Sequence, residues 1–147
     1  MYDAILFDLD GTLIDTESIA LVTGLAAFRA HGHAVDEAFM HGLVGKDEPT
    51  AARIIRAALP EVDLDAVNMH WRQGFNDGVD AGLALKPGAL DLLPALSAPL
   101  AIVTSTGRVG AHRKLGIAGI AEAFTHVVTL DDVRAAKPDP EPYLLAA

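Results

Sequence analysis

Hydrophobic and polar positions divide the chain into three stretches with different periodicities. An apolar run over residues 4–7 predicts a buried strand that ends at a pair of aspartates. Between residues 16 and 81 apolar residues recur at helical spacing, without strand-like alternation. From residue 86 onward, short apolar runs alternate with helical patterns, and we expect strands over 100–104 and 126–130. This order is typical of an α/β protein with a parallel sheet, right-handed crossovers and one helical insert.

Prolines, glycines and capping residues set the expected limits of the helices. Pro49 suits the first turn of a helix, and Gly32 suits the position just after one. Segments 13–16 and 84–88 would connect the insert to the rest of the chain as strand-like linkers, and we expect them to act as hinges. The expected helices lie near residues 16–29, 36–42, 48–59 and 63–77 in the insert, and near 87–96, 109–115 and 121–124 after it.

Asp8 and Asp10 stand two residues apart where the first strand ends. Residues at this spacing in an extended segment project to the same side, at the end of a parallel strand where ligands bind in open α/β sheets. Two carboxylates held so close need a cation or a shared proton, and Mg²⁺ is a hard ion that prefers oxygen ligands. Gly11 allows a sharp turn, which the Thr12 hydroxyl could hold. The alternative is an ordinary Asp-Gly turn without a ligand.

Composition limits the classes of protein to which the chain can belong. At 147 residues and 51% hydrophobic content it can form a globular domain with a core. The absence of cysteine excludes disulfides, thiolate metal sites and a cysteine nucleophile. A net charge of −9 argues against nucleic acid as a partner, but a single phosphate group needs only a local cradle. With neither a signal peptide nor a membrane-length apolar stretch, we expect a cytoplasmic protein without a membrane partner.

Three motifs, in this order, resemble those of the haloacid dehalogenase superfamily of phosphohydrolases. Asp8, Asp10 and Thr12 match the Asp-x-Asp-x-Thr motif after the first strand, Thr104 ends a second strand, and Lys137 precedes a proline. Stretches 15–17 and 85–88 are similar to the branch of the family with a helical cap inserted after the first motif. The resemblance implies a three-layer Rossmann-like core over residues 1–14 and 86–147 and an all-helical cap over 15–85.

The resemblance also implies roles for individual residues. Asp8 would be the nucleophile that forms an aspartyl-phosphate, and Asp10 would be the general acid and base. Both would hold Mg²⁺, Asp10 through its backbone carbonyl, while Thr104, Ser105 and Lys137 would bind the phosphate. Without the resemblance, helix capping by Thr106 or a neighbour is about as good an explanation of the stretch at Thr104 as phosphate binding. For Lys137, a solvated surface position is then the default.

Residues of the cap would select the substrate. Lys46, in a loop between two helices, is our candidate for contact with the part of the substrate distant from the phosphate. Arg53 and Arg72 are weaker candidates. For each of them a solvated helix face is an equally good explanation.

The motif residues favour one chemistry over its competitors within the family. Dehalogenases lack the second aspartate and phosphonate-cleaving members replace it with alanine, whereas this chain has Asp10. Related sugar-phosphate mutases carry a histidine shortly after the position of Thr16, and this chain has none there. We therefore expect a phosphatase, monomeric or dimeric, that acts on a small phosphorylated metabolite of the sugar phosphate or phosphoglycolate type. A mutase and a non-catalytic binding protein are the alternatives.

The fourth motif of the family is an acidic cluster that follows one further helix and strand. The sequence stops at residue 147, and Asp131 and Asp132 precede Lys137 instead of following it. From this pattern we expect a fragment of a longer protein, and a weak or inactive enzyme when the 147 residues stand alone.

Overall fold

The computed structural model describes residues 2–44, 46 and 48–147. The chain divides into two compact units. The sheet unit is Met1–Thr16 with Gly82–Ala147, and the helical unit is Glu17–Ala81. Two short 3₁₀ helices, Ala121–Ala123 and Leu130–Asp132, accompany the strands and α-helices. In chain order these are β1 (Ile5–Phe7), α1 (Thr16–Ala30), α2 (Glu37–His41), α3 (Glu48–Ala58), α4 (Leu64–Ala81), α5 (Ala89–Ala95), β2 (Leu100–Val103), α6 (Arg108–Ala118), β3 (His126–Val128) and α7 (Glu141–Ala146).

The three described strands form one parallel sheet in the order β1-β2-β3, which confirms the predicted α/β class. Ile5 lies opposite Leu100, and Ala101 lies opposite His126. All four residues of β2 are buried, whereas β1 is only half-buried because it pairs with β2 on one side alone. The first strand was predicted to be buried, and this was wrong, because the strand is half-buried. The parallel arrangement brings the carboxyl ends of the three strands to one edge of the sheet.

The helical unit contains α-helices and no strand among its described residues, as its periodicity predicted. Helix α4 continues to Ala81, beyond the expected end near residue 77. Gly78 does not stop the helix: a Cβ atom there would lie 2.6 Å from Ile19 Cγ2, so the glycine allows α4 to pack closely on α1. The core of this unit centres on Phe28 and Val67, both fully buried.

Trp71 is partly buried and packs against that core. Its ring centroid lies 6.4 Å from that of Phe28, and its indole N–H donates to the Ala20 carbonyl at 2.9 Å. The sheet unit has a separate core, whose fully buried members include Leu9, Ile14 and Ile102.

The two linkers pair with each other inside the sheet unit. The Asp15 N–H donates to the Ala84 carbonyl, and the Lys86 N–H donates to the Leu13 carbonyl, both at 2.8 Å. The Lys86 ammonium also lies 3.1 Å from Asp15 Oδ1. The linkers thus form a short antiparallel ribbon, and their function as hinges stays a prediction. Among the described helices none is long and apolar enough to cross a membrane.

Candidate active site

The turn after β1 is built from backbone hydrogen bonds. The Leu9 carbonyl accepts from the N–H groups of residues 12–14 at 3.0–3.3 Å. Gly11 has a φ of 75°, a left-handed conformation that glycine adopts without steric cost. The expectation that the Thr12 hydroxyl holds this turn was wrong, because that side chain is exposed and only its backbone N–H participates.

Asp8 and Asp10 flank the buried Leu9, so their side chains leave the core on the same side of the turn. The ammonium of Lys137 lies 2.7 Å from Asp8 Oδ1 and donates to the Val103 carbonyl at 3.1 Å. Since the Lys137 side chain is only 19% exposed, it is not an ordinary surface lysine. It joins the end of β2 to the first of the two aspartates.

The loop that carries Lys137 is held by Glu141. The two carboxylate oxygens of Glu141 accept from the N–H groups of Arg134 and Ala135 at 3.0 and 2.9 Å. The first of these bonds contributes most to a pKa of Glu141 below its usual value. Asp139 accepts from the Glu141 N–H at 2.9 Å. These hydrogen bonds fix the backbone on both sides of the lysine.

Asp10 accepts hydrogen bonds from three side chains. Its Oδ1 accepts from the Thr16 hydroxyl at 3.0 Å and from the Lys114 ammonium at 2.6 Å, and its Oδ2 accepts from the Thr106 hydroxyl at 2.7 Å. Burial alone would raise the pKa of Asp10, but the bonds from Lys114 and then Thr106 outweigh it, so that the pKa lies below its usual value. These three hydrogen bonds thus hold the carboxyl group in a defined orientation.

Thr104 and Ser105 follow β2 directly. Thr104 is buried; its N–H donates to the Val128 carbonyl at 3.0 Å, and its hydroxyl oxygen accepts from the Thr106 N–H at 3.1 Å. Ser105 is exposed. The structure therefore shows the Thr104 hydroxyl in a local turn, and binding of phosphate by Thr104 and Ser105 stays a prediction.

Asp131 and Asp132 stabilise the start of α6. Asp131 accepts from the Arg108 N–H at 2.6 Å, and Asp132 contacts the Arg108 guanidinium. Asp132 also accepts from the hydroxyl and the N–H of Thr129, and the hydroxyl bond contributes most to lowering the pKa of Asp132. These two carboxylates hold backbone and side-chain donors near the strand edge.

Lys46, the residue expected to contact substrate, lies in the helical unit. It is exposed and lines a cavity of about 540 Å³ together with Arg72, Arg56, Asn68 and Trp71. Arg53, named beside it from the sequence, is exposed and does not line this cavity. Of the three candidates for substrate contact, Lys46 and Arg72 therefore line this cavity and Arg53 does not.

The oxygen atoms of Asp8 and Asp10, at the carboxyl end of β1, are of the ligand type that Mg²⁺ prefers. Asp8 and Asp10 supply hard carboxylate and carbonyl oxygens, and Mg²⁺ keeps several waters and often binds substrate phosphate as well. The described residues contain no group of three or more His, Cys, Asp or Glu side chains that could hold a metal ion. The protein ligands among these residues would therefore be few.

The sequence analysis missed the donors that surround Asp10. Lys114 follows the buried Ala111 by three residues and precedes the buried Leu115, a spacing that places it toward the sheet side of α6. This spacing was the signal in the sequence from which Lys114 could have been predicted to face the sheet. Thr16 was expected only as the first residue of a helix, whereas its hydroxyl donates to Asp10.

Comparison with known proteins identifies the family to which the chain is similar. The profile described as haloacid dehalogenase-like hydrolase matches residues 5–147. The chain is 33% identical to validoxylamine A 7′-phosphate phosphatase of Streptomyces hygroscopicus subsp. limoneus, covering 99% of this chain and 70% of that protein. It is 36% identical to hexitol phosphatase A of Escherichia coli strain K12, covering 97% and 66%.

A solved structure from Thermotoga maritima, provisionally named a beta-phosphoglucomutase, superposes with a TM-score of 0.82 at 27% identity. The match covers 99% of this chain and 69% of that one. The chain thus spans about two thirds of the length of these proteins. The names of the Streptomyces and Escherichia coli relatives confirm the predicted enzyme class, a phosphatase of haloacid dehalogenase type. On these grounds, the chain belongs to the haloacid dehalogenase-like hydrolase family.

Proposed function

We propose that this protein is a Mg²⁺-dependent phosphatase that hydrolyses a small phosphorylated metabolite of the sugar phosphate type through an aspartyl-phosphate. The observation that carries the proposal is the pairing of two neighbouring aspartates with two different lysines. Asp8 contacts Lys137 at 2.7 Å, and Asp10 contacts Lys114 at 2.6 Å. The different environments of the two carboxylates suit two roles in one reaction.

In the first step Asp8 is the nucleophile. One of its carboxylate oxygens attacks the phosphorus atom, and the bond from phosphorus to the ester oxygen breaks. Asp10 enters this step protonated and gives its proton to that oxygen, so that an alcohol leaves and Asp10 becomes a carboxylate. Lys137 keeps Asp8 in place and balances the negative charge of the incoming phosphate. The products of this step are the alcohol and a phosphoryl group on Asp8.

In the second step Asp10 is the base. It takes a proton from water as the water oxygen attacks the phosphorus atom, and the bond from phosphorus to Asp8 breaks. Inorganic phosphate leaves, and both aspartates return to their starting states. Mg²⁺, when bound, would be held by the Asp8 carboxylate and the Asp10 carbonyl, and it would offset the negative charge of Asp8 and of the phosphate. Thr104 and Ser105 would bind phosphate oxygens through hydroxyl or N–H groups.

A phosphatase is favoured over a mutase by the sequence and by the names of the Streptomyces and Escherichia coli relatives, although the Thermotoga maritima structure is named a mutase. The stretch after Thr16 lacks the histidine that marks the mutases. One relative is named for validoxylamine A 7′-phosphate and another for hexitol, and both are phosphatases. These names support a substrate of the sugar phosphate type.

Lys46 would contact the part of the substrate that is distant from the phosphate. It lines a cavity with Arg72 and Asn68, which supply further polar groups, while Trp71 supplies an apolar wall. If Lys46 binds the substrate alike in the ground and transition states, Lys46→Met will raise KM and leave kcat unchanged. The matched control is Arg29→Met, which removes an exposed positive charge from the end of α1.

The test of the proposed function is a screen of phosphorylated metabolites for release of inorganic phosphate, carried out with the chain extended to the next stop codon of its reading frame. The screen compares Mg²⁺ with a chelator, and wild type with Asp8→Asn. We expect turnover that requires Mg²⁺ and disappears in the variant, because an amide cannot serve as the nucleophile. The fold should survive, since the amide oxygen can still accept from Lys137. Activity at the wild-type rate in Asp8→Asn would rule out the mechanism, and a screen without any turnover would favour the binding protein.

A further inference from the structure

Lys114 is a largely buried cation on a helix that otherwise packs apolar residues against the sheet. Its side chain is 12% exposed, and Ala111 and Leu115 on the same side of α6 are fully buried. Helical side chains point back toward the N-terminus, which directs the Lys114 ammonium to the start of α6. There it lies 3.4 Å from the Thr106 hydroxyl, eight residues earlier in the chain.

Three donors from separate parts of the chain fix the Asp10 carboxylate. Lys114 and Thr16 share Oδ1, and Thr106 binds Oδ2. Donors on both oxygens restrict rotation of the carboxylate about its terminal bond as well as its position. Lys114 is the charged donor of the set, and bonds from a charged donor are shorter and stronger than those between neutral groups.

The two lysines at this edge divide between the two aspartates. Lys137 contacts Asp8, and Lys114 contacts Asp10, in each case within 2.7 Å. Holding a long side chain largely buried in one conformation is entropically costly, and an isolated buried ion pair adds little to stability. A role in orienting Asp10 explains why α6 directs a lysine to this point.

We propose that Lys114 is a positioning residue for the general acid, holding the Asp10 carboxyl group in the orientation from which it protonates the leaving oxygen. This inference rests on the proposed function. It concerns one event of the first step, the transfer of the proton from Asp10 to the ester oxygen of the leaving group. Lys114 itself transfers no proton in this step.

The inference makes a specific prediction about leaving groups. An alkoxide is a poor leaving group and depends strongly on a proton donor, whereas p-nitrophenolate leaves without much assistance. The parameter kcat/KM covers the reaction up to phosphoryl transfer to Asp8, so it isolates the step in which the leaving group departs. Loss of orientation at Asp10 should therefore lower kcat/KM for sugar phosphates selectively.

The experiment introduces Lys114→Met into the chain extended to the next stop codon of its reading frame. It measures kcat/KM for two substrates, p-nitrophenyl phosphate and a sugar phosphate that the wild type hydrolyses. Methionine keeps much of the apolar stem and removes the charge. We expect a loss of about 10- to 100-fold for the sugar phosphate, less than the roughly 10²- to 10⁴-fold contribution of a general acid because Asp10 itself remains. For p-nitrophenyl phosphate we expect a loss of less than about threefold. Lys114→Arg, which restores a cationic donor, should recover part of the selective loss.

Arg113→Met removes the neighbouring positive charge from the same helix and serves as the matched control. Its ratio of the two kcat/KM values should equal that of the wild type. Equal losses on both substrates in Lys114→Met, or no loss on either, would overturn the positioning role while leaving the phosphatase intact. A wild type that hydrolyses neither substrate with Mg²⁺ would overturn the proposed function and, with it, this inference.

Discussion

The Lys137 ammonium lies 2.7 Å from Asp8 Oδ1, although 129 positions separate the two residues in the chain. The contact exists because β1 and β2 are parallel neighbours, so that the ends of both strands meet at one edge. Lys137 also donates to Val103, the last residue of β2. The position of this lysine therefore depends on the sheet as a whole and on the loop that follows β3.

That loop gives a prediction for Glu141, whose two oxygens bind the backbone N–H groups of Arg134 and Ala135. Glu141→Ala leaves both groups without this acceptor and loosens the segment that presents Lys137. We expect kcat/KM to fall several-fold, with Glu141→Gln intermediate because it keeps one acceptor oxygen. The measurement is steady-state phosphate release at fixed Mg²⁺.

Glu122→Gln is the matched control, because it neutralises an exposed glutamate elsewhere in the sheet unit. It should retain the wild-type rate. The positioning of Lys137 by this loop would be disproved if Glu141→Ala also retained it.

A second prediction concerns the two roles of Asp10. Asp10→Asn cannot take a proton from water, so the phosphoryl group should remain on Asp8 after one turnover. With p-nitrophenyl phosphate, which needs little help from an acid, we expect a burst of about one equivalent of p-nitrophenol per chain and then a slow rate. Mass spectrometry of the quenched protein should show one added phosphoryl group.

The control for this experiment is the double variant Asp8→Asn/Asp10→Asn, which lacks the acceptor and should show neither burst nor added mass. A linear time course without a burst in Asp10→Asn would argue against Asp10 as the base.

The elements of the fold were largely predictable, because each depends on a local periodicity that the sequence displays. The exception is α4, whose end was expected near residue 77, whereas the helix continues through Gly78 to Ala81, and this glycine serves close packing. The set around Asp10 was not predictable in this way. Its donors lie 6, 96 and 104 positions away, at Thr16, Thr106 and Lys114, and no short motif joins them.

The pKa of Asp132 leads to a prediction about stability in acid. Hydrogen bonds from the Thr129 hydroxyl and N–H lower the pKa of Asp132 below its usual value of 3.8 in the folded chain. Below that value the unfolded chain binds the proton first, so the free energy of unfolding falls as the pH falls toward the folded pKa. The stabilisation is present in full above the unfolded pKa.

Asp132→Asn removes this titration, so its free energy of unfolding should fall less steeply than that of wild type between about pH 5 and about pH 3. Above about pH 6 the two proteins should show parallel pH dependence. Urea denaturation across this range, followed by circular dichroism, measures both slopes. Identical slopes below pH 5 would contradict the assignment.

The last prediction distinguishes two glycines in helix interiors. A Cβ atom at Gly78 would lie 2.6 Å from Ile19 Cγ2, whereas a Cβ atom at Gly116 meets nothing within 4 Å. Alanine favours a helix by up to about 1 kcal/mol over glycine, but overpacking costs about 1–3 kcal/mol. We therefore expect Gly116→Ala to raise the free energy of unfolding by about 0.5–1 kcal/mol and Gly78→Ala to lower it by about 1 kcal/mol.

Circular dichroism would follow both variants during denaturation, and fluorescence of Trp71, the single tryptophan, would report on the helical unit alone. Because the cost at Gly78 arises from Ile19, the double variant Gly78→Ala/Ile19→Ala should be more stable than the sum of the two single effects implies. A stabilising Gly78→Ala would show that α4 can move away from α1 at little cost. The glycine would then be no more than a tolerated irregularity in the helix.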